Sequence, residues 1–501
     1  MFKNRVKFVT GLIIIFLFVL IGRLYNISVS HNREYTSRIQ RQMTGQAEFY
    51  FPRGKFLDRN GIPLTGRTYM GENLSLPVNI DKNILAKHII GDLQYEYKDN
   101  TAEGVKGVSG LQKLFDKELN GGLPIKIIQY KDGWGSPISE GKYYVQGDHE
   151  NQGKNIKLTI DYHIQSIIEE EINTFMSEKR KDIEGESYYP GISIVLMDAQ
   201  KGEVLGIASQ GDQNNKSIHS YPLGSIFKTL VAIKAIEEGL VEMDEQFTCN
   251  GSILIDSQIK HCHKSDGHGE ITFKDGFASS CNHVFYQVAK RLTEYNPNGT
   301  IKGNRVLELA REFGFSEYSK KKQDDFILTS KYSTNTIPDS VTCNLDVFNM
   351  ALGQGVIEAS PLMITKLMAT IANDGVMKEP LLVKEIRSQD GDLIKEFNNK
   401  EERRLFDQET NRQVQSLLEE VTATGTARSR NNEDNSFIGG KTSTAQNGRQ
   451  YPHSWFAGYF PTHQPKYAMT VFVEEGDSGS GVAYPLFYKI SKKILDLGER
   501  N

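Results

Sequence analysis

The chain has only four cysteines in 501 residues, too few for a disulfide scaffold, and its 45 glycines and 15 prolines carry no repeat or collagen-like bias. A surplus of one charge is also missing. Lys and Arg number 59 against 63 Asp and Glu, a net charge of -4, so there is no general basic field for a polyanion, and nucleic acid is excluded as a main partner. Long apolar runs are absent beyond the N-terminus, which excludes a membrane bundle of many spans. What remains is a folded chain: 38% hydrophobic and 24% charged residues exclude disorder throughout, and the length suggests about three domains of ~150 residues.

The single apolar run, FVTGLIIIFLFVLIG at 8–22, extends through residue 27 to twenty residues, which is ~30 Å as a helix and enough to cross a bilayer once. Lys3, Arg5 and Lys7 precede it and favour a cytoplasmic N-terminus, while the long stem of Arg23 lets its guanidinium reach the headgroups. The rest of the chain is then expected outside. Only Ser28-Val29-Ser30 resembles a signal-peptide cleavage site, so an uncleaved anchor is expected. An outside location permits disulfides, and Cys249 and Cys262 flank a segment they could close, although four cysteines allow three complete pairings. His261, His263 and His268 share that segment. Residues as close as 261 to 263 do not easily converge on one ion and the spacing fits no recognised finger, so no metal site is expected.

Residues 1–30 thus form a cytoplasmic stub and membrane anchor, and 31–156 read as a mixed membrane-proximal pedestal without a catalytic cluster. Within it a helix is predicted over 110–119, with Leu111, Leu114, Phe115 and Leu119 on one face. A second domain, 157–501, opens with LTID before a long amphipathic helix that Thr159 or Asp161 would cap. Two β-rich runs, 192–197 and 204–208, read as a hairpin; helices fill much of 225–420; strands return at 437–445, 455–459 and 467–473; a last helix spans 485–497. Strands at both ends around helices imply an α+β domain, an antiparallel sheet with a helical insertion.

Three short motifs carry the chemistry. In Tyr221-Pro222-Leu223-Gly224-Ser225-Ile226-Phe227-Lys228 the Pro and Gly make a turn, and the apolar periodicity from Ile226 to Ile236 predicts a following helix with Ser225 in its first turn. Lys228 then shares its face. A serine hydroxyl is a poor nucleophile until its proton is removed, and a lysine whose pKa is lowered by desolvation or a second cation can remove it. Alone, Ser-x-x-Lys is more often an exposed helix turn. Ser280-Cys281-Asn282 links two helical runs, where a hydroxyl relays a proton and an amide binds a substrate amide, or where both merely cap helices. In FIGGKTSTA at 437–445, strand alternation sends Lys441 and Ser443 one way and Thr442 and Thr444 the other. A cation there would help keep Lys228 neutral and attract a carboxylate; the alternative is a protective lysine on an edge strand.

In this order the three motifs resemble those of the penicillin-recognising serine acyltransferases, and more of the chain resembles the class B penicillin-binding proteins. Arg53-Gly54 with Asp58-Arg59-Asn60-Gly61, GVSGLQKLFDKELNG with Gln112 where Glu is typical, LTIDYHIQ at 158–165, GHGEITF at 267–273, ALGQG at 351–355 with Ser360-Pro361-Leu362, Gly425-Thr426-Ala427 and SWFAGYFP at 454–461 all carry the likeness. It covers residue 1 to about 495.

The resemblance implies a serine β-lactamase-like transpeptidase domain on a pedestal or dimerisation-like domain. It implies that Ser225 attacks the penultimate D-alanine carbonyl of a peptidoglycan stem peptide, that Lys228 accepts the proton, and that Ser280 and Asn282 return protons and hold the peptide. Lys441, Thr442 and Thr444 would bind the terminal carboxylate, with Ser443 beside them, and the backbone N–H groups of Ser225 and Thr444 would hold the oxyanion. No metal and no organic cofactor is implied. The implied partners are stem peptides, β-lactams, the membrane and a glycosyltransferase. Ser443 stands where the family usually has glycine; it could narrow access, shift Lys441 or fit a gap with little effect, and reduced β-lactam affinity, read as slower acylation, is expected. The rival readings are a carboxypeptidase or β-lactamase-like hydrolase, and a non-catalytic scaffold or β-lactam sensor.

Overall fold

The structure, a computed structural model, describes residues 2–32, 34, 44–49, 53–65, 69–71, 74–78, 85–98, 101–120, 125–131, 144–146, 152–179, 191–211, 215–315, 335–398, 402–428 and 434–498. The apolar run forms helix α1 (Phe2–Tyr25) and one wider turn, Asn26–Ser30, with its side chains outward, long and apolar enough to cross a membrane.

The helix predicted over 110–119 forms as two short helices, Gly110–Leu114 and Asp116–Asn120, because Phe115 leaves helical geometry between them. Leu111, Phe115 and Leu119 are buried as the pattern requires. The opposite consequence is polar. Gln112, Asp116 and Asn120 converge on Arg53, whose guanidinium donates to Gln112 Oε1 at 2.8 Å, to Asp116 Oδ1 at 2.9 Å and to Asn120. Gln112 therefore supplies an acceptor while Asp116 supplies the charge. Asp58 accepts from the N–H groups of Asn60 and Ile62, and its second oxygen accepts from Tyr162 N–H at 3.2 Å, fastening this segment to the start of helix α2 (Tyr162–Lys179). Asp161, not Thr159, caps α2; the Thr159 hydroxyl instead donates to backbone carbonyls of 204 and 381.

The strand Phe56–Leu57 runs parallel to Asn155–Leu158, which pairs antiparallel on its other side with Val383–Arg387, so early and late parts of the chain share one sheet. The larger sheet holds β1 (Ile192–Asp198), β2 (Val204–Gln210), β3 (Gly439–Ala445), β4 (His453–Phe460) and β5 (Tyr467–Val473) in the order β2-β1-β5-β4-β3, every pair antiparallel. Every residue of β1 and β4 is buried, and since alternate side chains face opposite ways, both faces are covered.

Between β2 and β3 lie α3 (Lys228–Glu237), α4 (Phe273–Ala278), α5 (Asn282–Arg291), α6 (Pro361–Ala372) and α7 (Gln408–Ala423), and α8 (Tyr484–Gly498) follows β5. Helix α6 is buried along its whole length against β1, β4 and β5; truncating a side chain such as Leu367 to Ala there would cost about 2–5 kcal/mol. The result is an α+β domain, with β3 at the sheet edge beside the turn that leads into α3.

Candidate active site

Gly224 sits at φ +60°, and a Cβ there would run into Ser443 Oγ, so only glycine lets this turn lie so close to β3. The turn is fastened from three sides. Gly224 N–H donates to Gly353 O at 2.9 Å, Ser443 Oγ to Leu223 O at 2.8 Å, and Trp455 Nε1 to Pro222 O at 3.1 Å. Residues Gly224–Phe227 form a 3₁₀ turn rather than the first turn of the α-helix, which begins at Lys228. Three residues on, Lys228 opens the α-helix on the same side of the chain as Ser225.

Lys228 is fully buried, and its Nζ donates to Ser280 O at 2.7 Å, Asn282 Oδ1 at 2.8 Å and Ser280 Oγ at 3.2 Å. The first two motifs therefore meet. Ser280 has φ +58°, Cys281 occupies the N-cap of α5, and neither Ser280 nor Asn282 caps a helix. The capping alternative does not hold. Lys441 is fully buried although β3 is an edge strand, so it is not a solvated protective lysine. Its Nζ lies 3.3 Å from Thr442 O and 5.7 Å from the centre of the Phe277 ring, while Lys228 Nζ lies 5.6 Å from that of Phe285.

Thr442 Oγ1 is 2.5 Å from Thr426 Oγ1, and the exposed Thr444 accepts at Oγ1 from Gly479 N–H. Thr426 had a signal in Gly425-Thr426-Ala427, although sequence reasoning gave it no role. Ser443 is buried beneath the Ser225 turn, not in the open cleft with Thr444.

Burial lowers the Lys228 pKa to about 8 from 10.5, against the opposing charges of Cys281 and Cys262. Burial, and after it the charge of Lys228, pushes Lys441 well below the ordinary lysine range. Two amines in an apolar crevice hold one proton more readily than two. When Lys228 is neutral, its two N–H bonds satisfy Ser280 O and Asn282 Oδ1, leaving the lone pair for a hydroxyl.

Cys249, Cys262, Cys281 and Cys343 are all free thiols, so the pairing of Cys249 with Cys262 does not form. The three histidines do not form a ligand set: His263 borders Cys262, its Nδ1 3.8 Å from Sγ, but neither it nor His261 joins the group whose ligand atoms converge. Instead Cys249, Cys262, His268 and Cys281 bring their ligand atoms within 4.8 Å of one another, an arrangement able to hold a metal and contrary to the expectation drawn from the histidines.

The sheet, its helical insertion and the crevice where a serine turn, a Ser-x-Asn loop and a Lys-Thr strand meet make an α+β domain with all three motifs gathered beside one sheet edge. The model of the penicillin binding protein transpeptidase domain matches residues 192–492, and the chain belongs to that family. Stage V sporulation protein D of Bacillus subtilis is 25% identical over 423 residues, 78% of this chain and 60% of that protein. Peptidoglycan D,D-transpeptidase PbpA of Mycobacterium tuberculosis is 25% identical over 311 residues, 60% of each chain. The chain spans about three fifths of the length of these curated relatives. The structure of penicillin-binding protein A from M. tuberculosis as a penicillin G acyl-enzyme complex superposes with a TM-score of 0.66 at 20% identity, over 89% of this chain and 100% of that one.

Proposed function

We propose that the chain is a peptidoglycan D,D-transpeptidase that works through a Ser225 acyl-enzyme and is acylated there by β-lactams. The observation that carries the reading is Lys228, buried without a carboxylate and bonded to both Ser280 and Asn282. Neutral Lys228 takes the Ser225 proton as Oγ attacks the penultimate D-alanine carbonyl. The oxyanion rests on the N–H groups of Ser225 and Thr444, the C–N bond breaks, and D-alanine leaves with a proton returned through Lys228 and Ser280. Asn282 holds the peptide amide, and Lys441, Thr442 and Thr444 receive the terminal carboxylate. An amine of a second stem peptide then displaces Ser225. Ser443 positions the nucleophile turn instead of touching substrate.

The relative named PbpA is a D,D-transpeptidase, and the M. tuberculosis structure is of a penicillin G adduct; both support the reading by likeness. In the same reading α1 anchors the chain with residues 31–156 as a pedestal and 157–501 as the catalytic domain outside the membrane, beside a partner glycosyltransferase. The hydrolase alternative wants a dedicated base, and no carboxylate is bonded to Lys228 among the described residues.

Intact mass after exposure to a labelled penicillin, with the adduct mapped by peptide, tests the proposal. One adduct on the peptide carrying Ser225, lost in Ser225→Ala and long-lived in water, is expected. Rapid turnover would move the reading to a hydrolase, and an unlabelled protein would overturn it.

A further inference from the structure

Three of the chain's four cysteines meet at one point. Cys249 ends the strand Gln246–Cys249, whose register sets it opposite Gly269, next to His268. Cys262 follows the hairpin of Ser252–Ile255 and Gln258–His261, and its N–H donates to Gly251 O at 2.8 Å. Cys281 comes from the N-cap of α5. The two turns interlock through glycine: a Cβ on Gly251 would lie 2.0 Å from Ser265 O, and one on Gly267 would lie 2.1 Å from Cys249 O. Both glycines have positive φ, +82° and +77°, so this backbone is shaped for the approach of its cysteines.

We propose that Cys249, Cys262, His268 and Cys281 bind a structural zinc ion that holds the loop carrying Ser280 and Asn282 in place. Cys262 Sγ lies 3.9 Å from Cys281 Sγ and 3.7 Å from His268 Nδ1. A tetrahedral ion with Zn–S bonds of ~2.3 Å has S···S edges of ~3.8 Å, whereas a disulfide needs an S–S bond of ~2.05 Å. Three thiolates and an imidazole make a closed set without an open position, and soft sulfur ligands favour zinc over magnesium or calcium. A second layer is present too. Buried His283 places Nδ1 3.5 Å from Cys249 Sγ, where an N–H can support a metal-bound thiolate. Binding would exchange three thiol protons for one Zn²⁺, with no electron transfer.

Cys281 is the middle residue of Ser280-Cys281-Asn282, so a bond from its sulfur to the ion fixes the backbone between the two residues that bond Lys228. Ser280 is held at φ +58°, which a non-glycine residue adopts only when its surroundings impose it. The ion would touch no reacting atom, and its ligands are positioning residues. The positioning half rests on the function proposed above; the metal site does not.

The test uses the full chain in detergent. Metal analysis is expected to give about one zinc per chain, and cobalt substitution to show thiolate charge-transfer bands with the intense visible bands of a tetrahedral site. His268→Ala should lose the metal and acylate with penicillin about 10–100-fold more slowly, while His268→Cys keeps both. Withdrawing zinc from the unmutated protein and restoring it should lower and then recover the acylation rate, which separates positioning from failure to fold. A protein that binds no zinc when supplied with it, or that carries a Cys262 to Cys281 disulfide, would overturn the site. Zinc binding with an acylation rate indifferent to its removal would overturn the positioning role, and zinc binding without any adduct would instead overturn the transpeptidase reading.

Discussion

Arg53 and Lys228 are both cations withdrawn from water, in two regions that treat them differently. Arg53, in the region before residue 157, pairs with Asp116 at 2.9 Å and donates to Gln112 and Asn120. Lys228 in the crevice meets neutral oxygens of Ser280 and Asn282. Burial lowers the pKa of both, and only Arg53 has a carboxylate opposing the shift. The guanidinium stays charged regardless, so its site is a fastening. The amine falls to about 8, within reach of neutrality, which is the property the proposed base needs. A buried cation given a bonded carboxylate holds structure together, and one with only the charges of Cys281 and Cys262 to oppose its burial comes within reach of neutrality at a cost in stability.

The sharpest way to break that contrast is to replace both cations with methionine. Lys228→Met should slow penicillin acylation by about 10²–10⁴-fold, the contribution of a general base, and leave the thermal midpoint unchanged or higher because a poorly compensated buried amine is gone. Arg53→Met should do the reverse, costing about 2–4 kcal/mol by leaving Asp116 without its partner while folded molecules acylate at the native rate. Stopped-flow acylation and thermal melts on the same samples read both. Equal destabilisation by the two changes would remove the distinction.

A pH series sharpens it at smaller amplitude. In the proposed mechanism attack requires neutral Lys228, so acylation should climb about tenfold per pH unit below about pH 8 and level off above it. The stability consequence has a definite sign. Between about pH 8 and 10.5 the unfolded chain holds a proton at this lysine that the folded chain has lost, so this group's contribution makes the protein more stable as pH rises through that window. A flat rate profile from pH 6 to 9 would exclude Lys228 as the proton acceptor.

Much of this arrangement was legible in residue order. The hairpin of β1 and β2 and the late strands followed from runs of β-branched and aromatic residues between turn signals, and the motif order pointed to a shared crevice. Periodicity could not show that Phe115 breaks the helix over 110–119, because its burial is satisfied on either side of the break. It could not show the 3₁₀ turn at Ser225 either, since bonds to Gly353, Ser443 and Trp455 come from segments distant in sequence. The cysteine cluster was missed because the histidines of one segment were weighed together while Cys281 was read as part of another motif. The usable signal was three of four cysteines between 249 and 281.

The smallest expected effect lies at Ser443, where the family resemblance has glycine and where the added side chain could narrow the cleft, shift Lys441 or fit a gap beside it. The side chain instead lies beneath the turn, 2% exposed, with its hydroxyl donating to Leu223 O at 2.8 Å. Ser443→Gly removes that donor, leaves a buried carbonyl short of a partner and adds backbone freedom to β3, together worth about 1–2 kcal/mol. Because that bond fastens the residue two before Ser225, the proposed nucleophile, loosening it should slow acylation by about fivefold, the rate equivalent of about 1 kcal/mol. The sign separates the two accounts: a faster Ser443→Gly enzyme would mean that the serine obstructs the cleft, and a slower one that it braces the turn. Ser443→Ala, which keeps the Cβ and loses only the hydroxyl, should match the glycine variant in rate if the hydrogen bond is what matters, and match the native enzyme if bulk is.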